Sequence, residues 1–371
     1  MINHKDNKIM VAMSGGVDSS VSALICLEAA PSTCGATMKL FDSSLLKGGS
    51  KSGCCSIDDI DDAKSVCHKL GIEHYTLNCK REFKDFVVSP FVESYLAGQT
   101  PNPCISCNRH LKFDTLIRKA RAAGFDAIAT GHYARIENIK GKLLLKRGVD
   151  ERKDQSYVLH TLTKEQLYHV YFPIGSLQKD VVRDIASTYD LCTAKKKESQ
   201  DICFLQDEKI EDFIKRFTSS NCEKPNLDFD RSGVFVNKQG EVLGNFDDYS
   251  HFTIGQRKGL NLALGQPCYV SDIDVKNKKI TIGDKQSLLR SKIFASDFNW
   301  ISICTKIGET ISCTAKIRYN MKDVPCKARV EDEEKVSVVF ADGVSAPAKG
   351  QSITLYDGDV VLGGGYIYES R

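Results

Sequence analysis

The chain has 371 residues, a net charge of +3, 42% hydrophobic residues and 27% charged residues. This length suits two or three domains, and the composition is ordinary for a soluble globular protein. Because the net charge is small, the electric field of the whole protein cannot hold a nucleic acid. Any nucleic-acid partner is therefore held by local basic patches. No apolar run is long enough for a membrane span, and residues 1–7 lack a signal-peptide core. We therefore expect a cytoplasmic protein with no membrane partner.

The fifteen cysteines do not indicate a disulfide scaffold, because the chain is too long and too hydrophobic for one. Their odd number points to free thiols, of which a few are catalytic or bind metal. Cys26, Cys67 and Cys268 lie in apolar stretches and are expected to pack as small core residues.

The first motif along the chain is Ser14-Gly15-Gly16-Val17-Asp18-Ser19-Ser20, between an apolar segment at 9–13 and a segment at 17–30 with helical apolar spacing. Strand, glycine turn and helix start together predict a phosphate cradle. Glycines let backbone N–H groups approach the anion, and the helix N-terminus supplies partial positive charge. The lysine-ended P-loop pattern is absent, which excludes a kinase-like or GTPase-like site. The alternative is a glycine turn that only caps a helix.

The first part of the chain alternates short strands with helices. Strands are predicted at 9–13, 34–40, 73–78 and 127–130, and helices at 17–30, 58–70, 83–97 and 105–123. This alternation predicts an α/β fold with a parallel sheet, in which the phosphate turn lies at the carboxyl edge where such sheets bind ligands.

A second motif, Thr-Pro-Asn-Pro-Cys-Ile-Ser-Cys-Asn at 100–108, places a Cys-x-x-Cys pair at a helix start. The two prolines deny the preceding backbone a helical conformation, and the helix dipole favours the thiolate form of the cysteines. The pair is typical of a redox dithiol or of half a metal or cluster site. No second Cys-x-x-Cys and no paired histidine motif completes a zinc site, and two buried structural cysteines are the remaining alternative.

A third motif, Ser-Gln-Asp-Ile-Cys-Phe at 199–204, follows the basic run at 195–197. After residue 206 the pattern changes to a short helix at 212–218 and then to strands and turns. Asp357-Gly358 between apolar segments predicts a β-hairpin. We expect three domains: an α/β domain with the phosphate turn at 1–207, a small central domain at 208–283, and a β-barrel-like domain at 284–371.

Taken together, these motifs resemble those of the tRNA-specific 2-thiouridylases, a family of PP-loop ATP pyrophosphatases that replace the C2 oxygen of the wobble uridine with sulfur. The resemblance covers nearly the whole chain. It also includes Thr-Gly-His-Tyr-Ala-Arg at 130–135, Lys-Asp-Gln-Ser-Tyr at 153–157, Phe-Thr-Ile-Gly-Gln-Arg-Lys-Gly-Leu at 252–260, Ile-Arg-Tyr at 317–319 and Leu-Gly-Gly-Gly at 362–365.

The resemblance implies a role for individual residues. Those implied to hold ATP are Ala12, Met13, Ser14, Gly15, Gly16, Val17, Asp18, Ser19 and Met38, with Gly131 closing the nucleotide pocket. Asn102, Pro103 and Cys104 would face the target base, Cys107 would be the nucleophile, and Cys203 would carry the persulfide sulfur. The residues implied to contact tRNA are Lys153, Asp154, Gln155, Arg318 and Tyr319, with His132 and Gln351 as further candidates.

This chain departs from the family pattern at several places. Some members carry an aspartate where Cys104 stands, so Cys104, Cys107 and Cys203 could instead hold a [4Fe–4S] cluster with one iron open to sulfide. Residues 349–351 read Lys-Gly-Gln where the family more often has Pro-Gly-Gln. The loop at 40–56 also differs and contains Cys54 and Cys55, for which the sequence suggests no role.

The implied reaction is adenylation of the C2 oxygen by ATP, with pyrophosphate released into the glycine turn. Mg²⁺ would neutralise the phosphates, and Asp18 is a candidate ligand for it. Sulfur then reaches C2 from the Cys203 persulfide or from a cluster iron, and AMP leaves. The family implies tRNAs for Lys, Glu and Gln as substrates. A cysteine desulfurase or persulfide relay protein is the expected sulfur donor.

Two other classes share part of the pattern. An amide-forming PP-loop enzyme would share the ATP turn but would have no use for the three cysteines. A non-catalytic iron–sulfur RNA-binding protein would share the cysteines but not the ATP-cleaving turn. Release of pyrophosphate that depends on tRNA distinguishes the thiolation enzyme from both classes.

Overall fold

The computed structural model describes residues 7–41, 57–197, 202–205, 208–220 and 230–371. Its N-terminal part contains a parallel sheet in the order β3-β2-β1-β4-β7. The strands are β1 (Ile9–Ala12), β2 (Thr33–Lys39), β3 (His74–Asn78), β4 (Ala127–Ala129) and β7 (Val170–Tyr171). The sheet confirms the predicted α/β fold. Strand β7 was not predicted from the sequence, since two residues are too few to show a pattern.

Helices α1 (Val17–Ala29), α2 (Ile57–Leu70) and α7 (Lys179–Thr188) accompany this sheet. Cys26 and Cys67 are buried, as expected, and burial raises the pKa of Cys26 to about 12 and that of Cys67 to about 11. None of the described helices is long and apolar enough to cross a lipid bilayer. The pair Cys54 and Cys55 lies outside the described residues.

Two long helices each contain a π-helical stretch. The first consists of α3 (Lys80–Phe83), the π segment Lys84–Val88 and α4 (Ser89–Leu96). The second, called here the cysteine helix, consists of α5 (Pro103–Ser106), the π segment Cys107–Thr115 and α6 (Leu116–Ala122). Both helices lie where the sequence predicted them. The π turns were not predicted, because they depart from the 3.6-residue period on which the prediction rests.

A central module follows helix α8 (Ile210–Ser220), which confirms the short helix expected at 212–218. Its four-stranded sheet has the order β10-β11-β8-β9, and Phe235, Val270 and Ile280 lie in its core. The strands are β8 (Gly233–Val236), β9 (Val242–Phe246), β10 (Tyr269–Asp274) and β11 (Lys279–Gly283).

The C-terminal part is an antiparallel barrel in the order β12-β15-β14-β13-β16-β17, closed by pairing of β17 with β12. The strands are β12 (Leu289–Trp300), β13 (Thr310–Lys316), β14 (Val324–Val330), β15 (Val336–Ser345), β16 (Ser352–Asp357) and β17 (Val360–Ser370). Asp357 pairs with Val360 across a two-residue turn, which confirms the predicted hairpin.

The barrel and the α/β part share a sheet, a feature that the sequence did not reveal. The hairpin of β5 (Ala134–Ile139) and β6 (Lys142–Arg147) leaves the α/β part and joins the barrel sheet at β17, with Lys146 opposite Val360. Asp359 fixes this junction, because its carboxylate accepts from Arg135 at 2.7 Å and lies 3.0 Å from the ammonium of Lys146.

The glycine run at 363–365 allows a close approach between β17 and the α/β part. A β-carbon at Gly364 would lie 2.7 Å from the ring of His160 and 2.7 Å from the carbonyl oxygen of Ile353. His160 is fully buried, and its Nε2 lies 2.9 Å from Ser352 Oγ. Burial, together with the charge of Arg109, lowers the pKa of His160 to about 4.

This buried histidine makes the barrel sensitive to acid. Below about pH 6.5 the unfolded chain protonates His160, whereas the folded protein resists protonation until about pH 4, so stability falls as the pH falls through this window. We expect this group to change the free energy of unfolding by up to about 1.4 kcal/mol per pH unit. Urea unfolding followed by Trp300 fluorescence measures it, since this only tryptophan of the chain lies in β12.

The variant His160→Gln should have a shallower pH slope than the wild type, whatever its absolute stability. His68→Gln, at an exposed histidine, serves as the control and should keep the wild-type slope. An unchanged slope in His160→Gln would contradict the assignment.

Candidate nucleotide and thiol site

The glycine turn between β1 and α1 has the geometry of a phosphate cradle. Gly15 has a φ of +70°, and a β-carbon there would lie 2.4 Å from the backbone oxygen of Asp59, so only glycine fits. The Ser14 N–H donates to Ser19 Oγ at 3.2 Å, and this hydroxyl in turn donates to the Gly16 carbonyl at 3.0 Å. The turn therefore holds a fixed shape at the helix N-terminus, where anions bind.

Adjacent strands bring the other predicted nucleotide residues to the same edge. Ala12 ends β1, Met38 lies near the end of neighbouring β2 and is buried, and Gly131 follows β4 on the other side. A β-carbon at Gly131 would lie 2.9 Å from the backbone nitrogen of Ser19, so this glycine lets the β4 loop approach the start of α1. The structure thus gathers these residues, and their contact with ATP stays a prediction.

Two partners of the turn, Lys179 and Tyr133, were not predicted from the sequence. The Lys179 ammonium donates to both carboxylate oxygens of Asp18, at 2.7 and 2.8 Å, and Tyr133 Oη donates to Oδ1 at 2.8 Å. The Lys179 side chain is only 5% exposed. No sequence signal links Lys179 to the turn, since it lies 161 residues from Asp18. A Mg²⁺ ion on Asp18 would compete with this ammonium, so the turn presents no carboxylate prepared for the ion.

The cysteine helix begins at a side-chain cap. Asn102 Oδ1 accepts from the backbone N–H of Cys104 at 3.1 Å, and Pro103 occupies the first helical position. Cys104 is exposed and Cys107 is half-buried, so the pair lies where the helix start meets solvent. Asn102 and Pro103 also line a cavity of about 220 Å³, together with Phe91 of α4 and, from the barrel, Gly350 and Tyr366.

Cys203 lies against the same core as Cys107. Its neighbour Phe204 is buried and makes ring contacts with Phe91 at 5.1 Å and with Phe83 at 5.8 Å, which fixes the segment on the α3–α4 helix. Cys107 and Cys203 both pack against the large apolar core that contains these phenylalanines. The sequence could not show this, because the aromatic contacts join residues more than a hundred positions apart.

The described residues show no preformed iron–sulfur site. Within the described part of the chain, which includes Cys104, Cys107 and Cys203, no three His, Cys, Asp or Glu side chains form a group that could hold a metal ion. A cluster needs such a set of thiolates on one centre.

Two residues predicted to contact tRNA have structural partners within the protein. The buried Asp154 carboxylate accepts from the backbone N–H groups of Gly148 at 3.1 Å and Ser156 at 3.0 Å. Gln155 Oε1 accepts from the backbone N–H of Tyr133 at 3.0 Å. The block at 153–155 thus stabilises the backbone at Tyr133 and Gly148. Within this block, Lys153 alone has a charged side chain that is half-buried.

The barrel carries the other predicted tRNA residues. Arg318 donates to the Ala346 carbonyl at 2.9 Å, and burial lowers its pKa from the usual arginine value. Tyr319 is 37% exposed, and its ring lies 6.4 Å from that of Tyr157. The side chain of Gln351 is bound within the protein, because its amide nitrogen donates a hydrogen bond to the Thr100 carbonyl at 2.7 Å.

His132 is buried rather than displayed to a partner. It lies between the rings of Phe113 and Phe172, each 5.8 Å away, and its Nδ1 is 2.7 Å from Thr130 Oγ1. Burial and the nearby Lys112 ammonium hold its pKa well below the usual range, so the ring is neutral at pH 7. A direct contact with RNA would require this side chain to be uncovered.

Fold and site together define a three-part protein with an N-terminal nucleotide-binding α/β domain that carries a cysteine helix. Family models match each part: "tRNA methyl transferase HUP domain" over residues 7–207, "tRNA methyl transferase PRC-barrel domain" over 226–284, and "Aminomethyltransferase beta-barrel domain" over 290–367.

Curated relatives extend this match to nearly the full chain. The protein from Clostridioides difficile named "tRNA-specific 2-thiouridylase MnmA" is 42% identical over 98% of this chain and 99% of its own. Relatives of the same name from Acetivibrio thermocellus (44%; 97% of this chain and 99% of theirs) and Carboxydothermus hydrogenoformans (44%; 97% of both) are similar. The chain belongs to the tRNA-specific 2-thiouridylase family.

The ion pair of the turn leads to a prediction about nucleotide binding. Lys179→Met leaves the Asp18 carboxylate uncompensated beside the incoming phosphates, so we expect the Kd for ATP to rise about tenfold, or about 1.4 kcal/mol. AMP lacks the pyrophosphate and should lose less affinity. Isothermal titration calorimetry measures both.

Lys69→Met is the matched control, because Lys69 also pairs with an aspartate, Asp190, but on the exposed surface. Equal losses for ATP and AMP, or an equal effect of the control, would contradict a role of Lys179 at the phosphates.

Proposed function

We propose that the protein is an ATP-dependent tRNA-uridine 2-sulfurtransferase that thiolates the wobble uridine. The observation that carries this proposal is that Cys107 and Cys203 both pack against the same large apolar core, which includes Met10 of β1, the strand that leads into the phosphate turn. An activating site and a pair of thiols are the two parts that the reaction needs. The names of the full-length relatives support the same activity.

The first step activates a poor leaving group. The uridine C2 oxygen attacks the α-phosphorus of bound ATP, and pyrophosphate leaves toward the glycine turn. Backbone N–H groups at the start of α1 are suited to stabilise the charge that develops there. The C2 oxygen now belongs to a good leaving group, AMP.

Sulfur then replaces this oxygen. The terminal sulfur of a Cys203 persulfide attacks C2, AMP departs, and the RNA is joined to Cys203 through an S–S bond. The Cys107 thiolate attacks Cys203 Sγ and breaks that bond, so the electron pair moves to the sulfur that stays on the uridine. A Cys107–Cys203 disulfide results, and an external dithiol must reduce it before the next turnover.

The wobble base of the tRNA has to reach both the bound ATP and the cysteines. A wobble uridine is unstacked from the anticodon loop before it can enter a protein pocket. The cavity beside Asn102 and Pro103 supports these residues as the base-facing group. Lys153, Arg318 and Tyr319 are the proposed contacts to the RNA. The same proposal includes the tRNAs for Lys, Glu and Gln as substrates and a cysteine desulfurase or persulfide relay protein as the sulfur donor. It also includes domain limits of 1–207, 208–283 and 284–371.

Cysteine variants test the proposed sulfur path. In the presence of a cysteine desulfurase and cysteine, Cys203→Ser should lower 2-thiouridine formation at least about a hundredfold while ATP binding is kept, since the sulfur carrier is lost. Cys107→Ser should accumulate tRNA joined to Cys203 through a bond that dithiothreitol cleaves. Nucleoside mass spectrometry and gel electrophoresis detect the two outcomes.

Cys304→Ser, at an exposed cysteine of the barrel domain, is the control and should behave as the wild type. Undiminished thiolation by Cys203→Ser would refute the persulfide route.

A further inference from the structure

The turn between β15 and β16 holds the chain just before the cysteine helix. The backbone N–H of Thr100 donates to the Lys349 carbonyl at 2.8 Å, and the Thr100 carbonyl accepts from Gln351 Nε2 at 2.7 Å. Both backbone polar groups of Thr100 are thus bound by the barrel. The turn itself is anchored in β17, because Gly350 N–H donates to the Ile367 carbonyl at 2.9 Å.

The conformation of this turn favours a glycine at its middle residue. Gly350 has a φ of +86°, which disfavours other residues, and a β-carbon there would lie 3.1 Å from Gln99 Cβ and 3.2 Å from Thr100 N. Gly350 also lines the 220 Å³ cavity that Asn102 and Pro103 line. The barrel turn therefore touches the loop at the place where the cavity is formed.

A stiff connection joins Thr100 to the cysteines. Pro101 and Pro103 each fix a backbone φ and restrict the residue before them. Between them, Asn102 caps the helix through the backbone N–H of Cys104 at 3.1 Å. A displacement of Thr100 is therefore passed on to Asn102 and to the first turn of the cysteine helix rather than absorbed by the loop.

We propose that Gln351 is a positioning residue that, with Gly350, sets the place of the base-facing loop and of Cys104 and Cys107. The resemblance implied a contact between Gln351 and tRNA, but its amide N–H is directed to the Thr100 carbonyl. The barrel thereby takes part in the chemistry of the α/β domain through a backbone clamp. This inference rests on the proposed thiolation activity.

Two variants break the clamp by different means. Gln351→Met keeps the length of the side chain but removes the donor, and Gly350→Ala pushes against Thr100. Gln166→Met is the matched control, because Gln166 Nε2 also donates to a backbone carbonyl at 2.7 Å, that of Phe113 at the far end of the π segment. Thermal unfolding checks that each variant is folded.

Two readouts separate positioning from contact. The rate at which iodoacetamide alkylates Cys104 and Cys107 in tRNA-free protein, measured by peptide mass spectrometry, should change at least about threefold in both clamp variants and not in the control. Single-turnover thiolation at saturating tRNA should fall about tenfold, with the Kd for tRNA within about twofold of the wild type.

A raised Kd for tRNA with an unchanged single-turnover rate and unchanged alkylation would overturn the proposal and make Gln351 an RNA contact. Unchanged values throughout would overturn it as well. Failure of the wild type to form 2-thiouridine would refute the proposed function instead, and the alkylation rates would still decide whether the clamp positions the cysteines.

Discussion

The seating of the barrel on residues 156–161 of the α/β part is the constraint on which the site depends. Tyr157 and His160 are fully buried there, and Tyr157 Oη donates to the Ser352 carbonyl at 2.8 Å. The glycines of β17 make this approach possible, since a side chain at Gly364 would collide with His160. Because the contact is buried and hydrogen-bonded, the barrel turn, the cavity and the cysteine helix keep one relative position.

Charge is used differently in the two halves of the site. At the phosphate turn the nearly buried ammonium of Lys179 is paired with the Asp18 carboxylate. The turn therefore contains a positive charge that is compensated by its partner. At the cysteine helix the positioning groups are neutral amides, Asn102 and Gln351, which fix the backbone. The first arrangement suits the binding of a polyanion, whereas the second suits the placing of thiols beside a base.

Local sequence patterns predicted the phosphate turn, the α/β alternation and the proline-flanked cysteine helix, because each depends on neighbouring residues. They could not predict what depends on distant pairs. Lys179 meets Asp18 across 161 positions, and Gln351 meets Thr100 across 251. The pairing of the β5–β6 hairpin with β17 is equally non-local. Burial of His132 between two phenylalanines is likewise set by packing, which a single motif does not reveal.

The central claim is that one active site couples ATP cleavage to sulfur insertion. Anaerobically purified protein would be incubated with magnesium–ATP, unmodified tRNA and a cysteine desulfurase with cysteine. The amounts of 2-thiouridine and pyrophosphate formed would then be measured. Pyrophosphate release should require tRNA, and one 2-thiouridine should form for each pyrophosphate. Pyrophosphate release without tRNA, or a folded, ATP-binding protein that forms no 2-thiouridine, would contradict this claim.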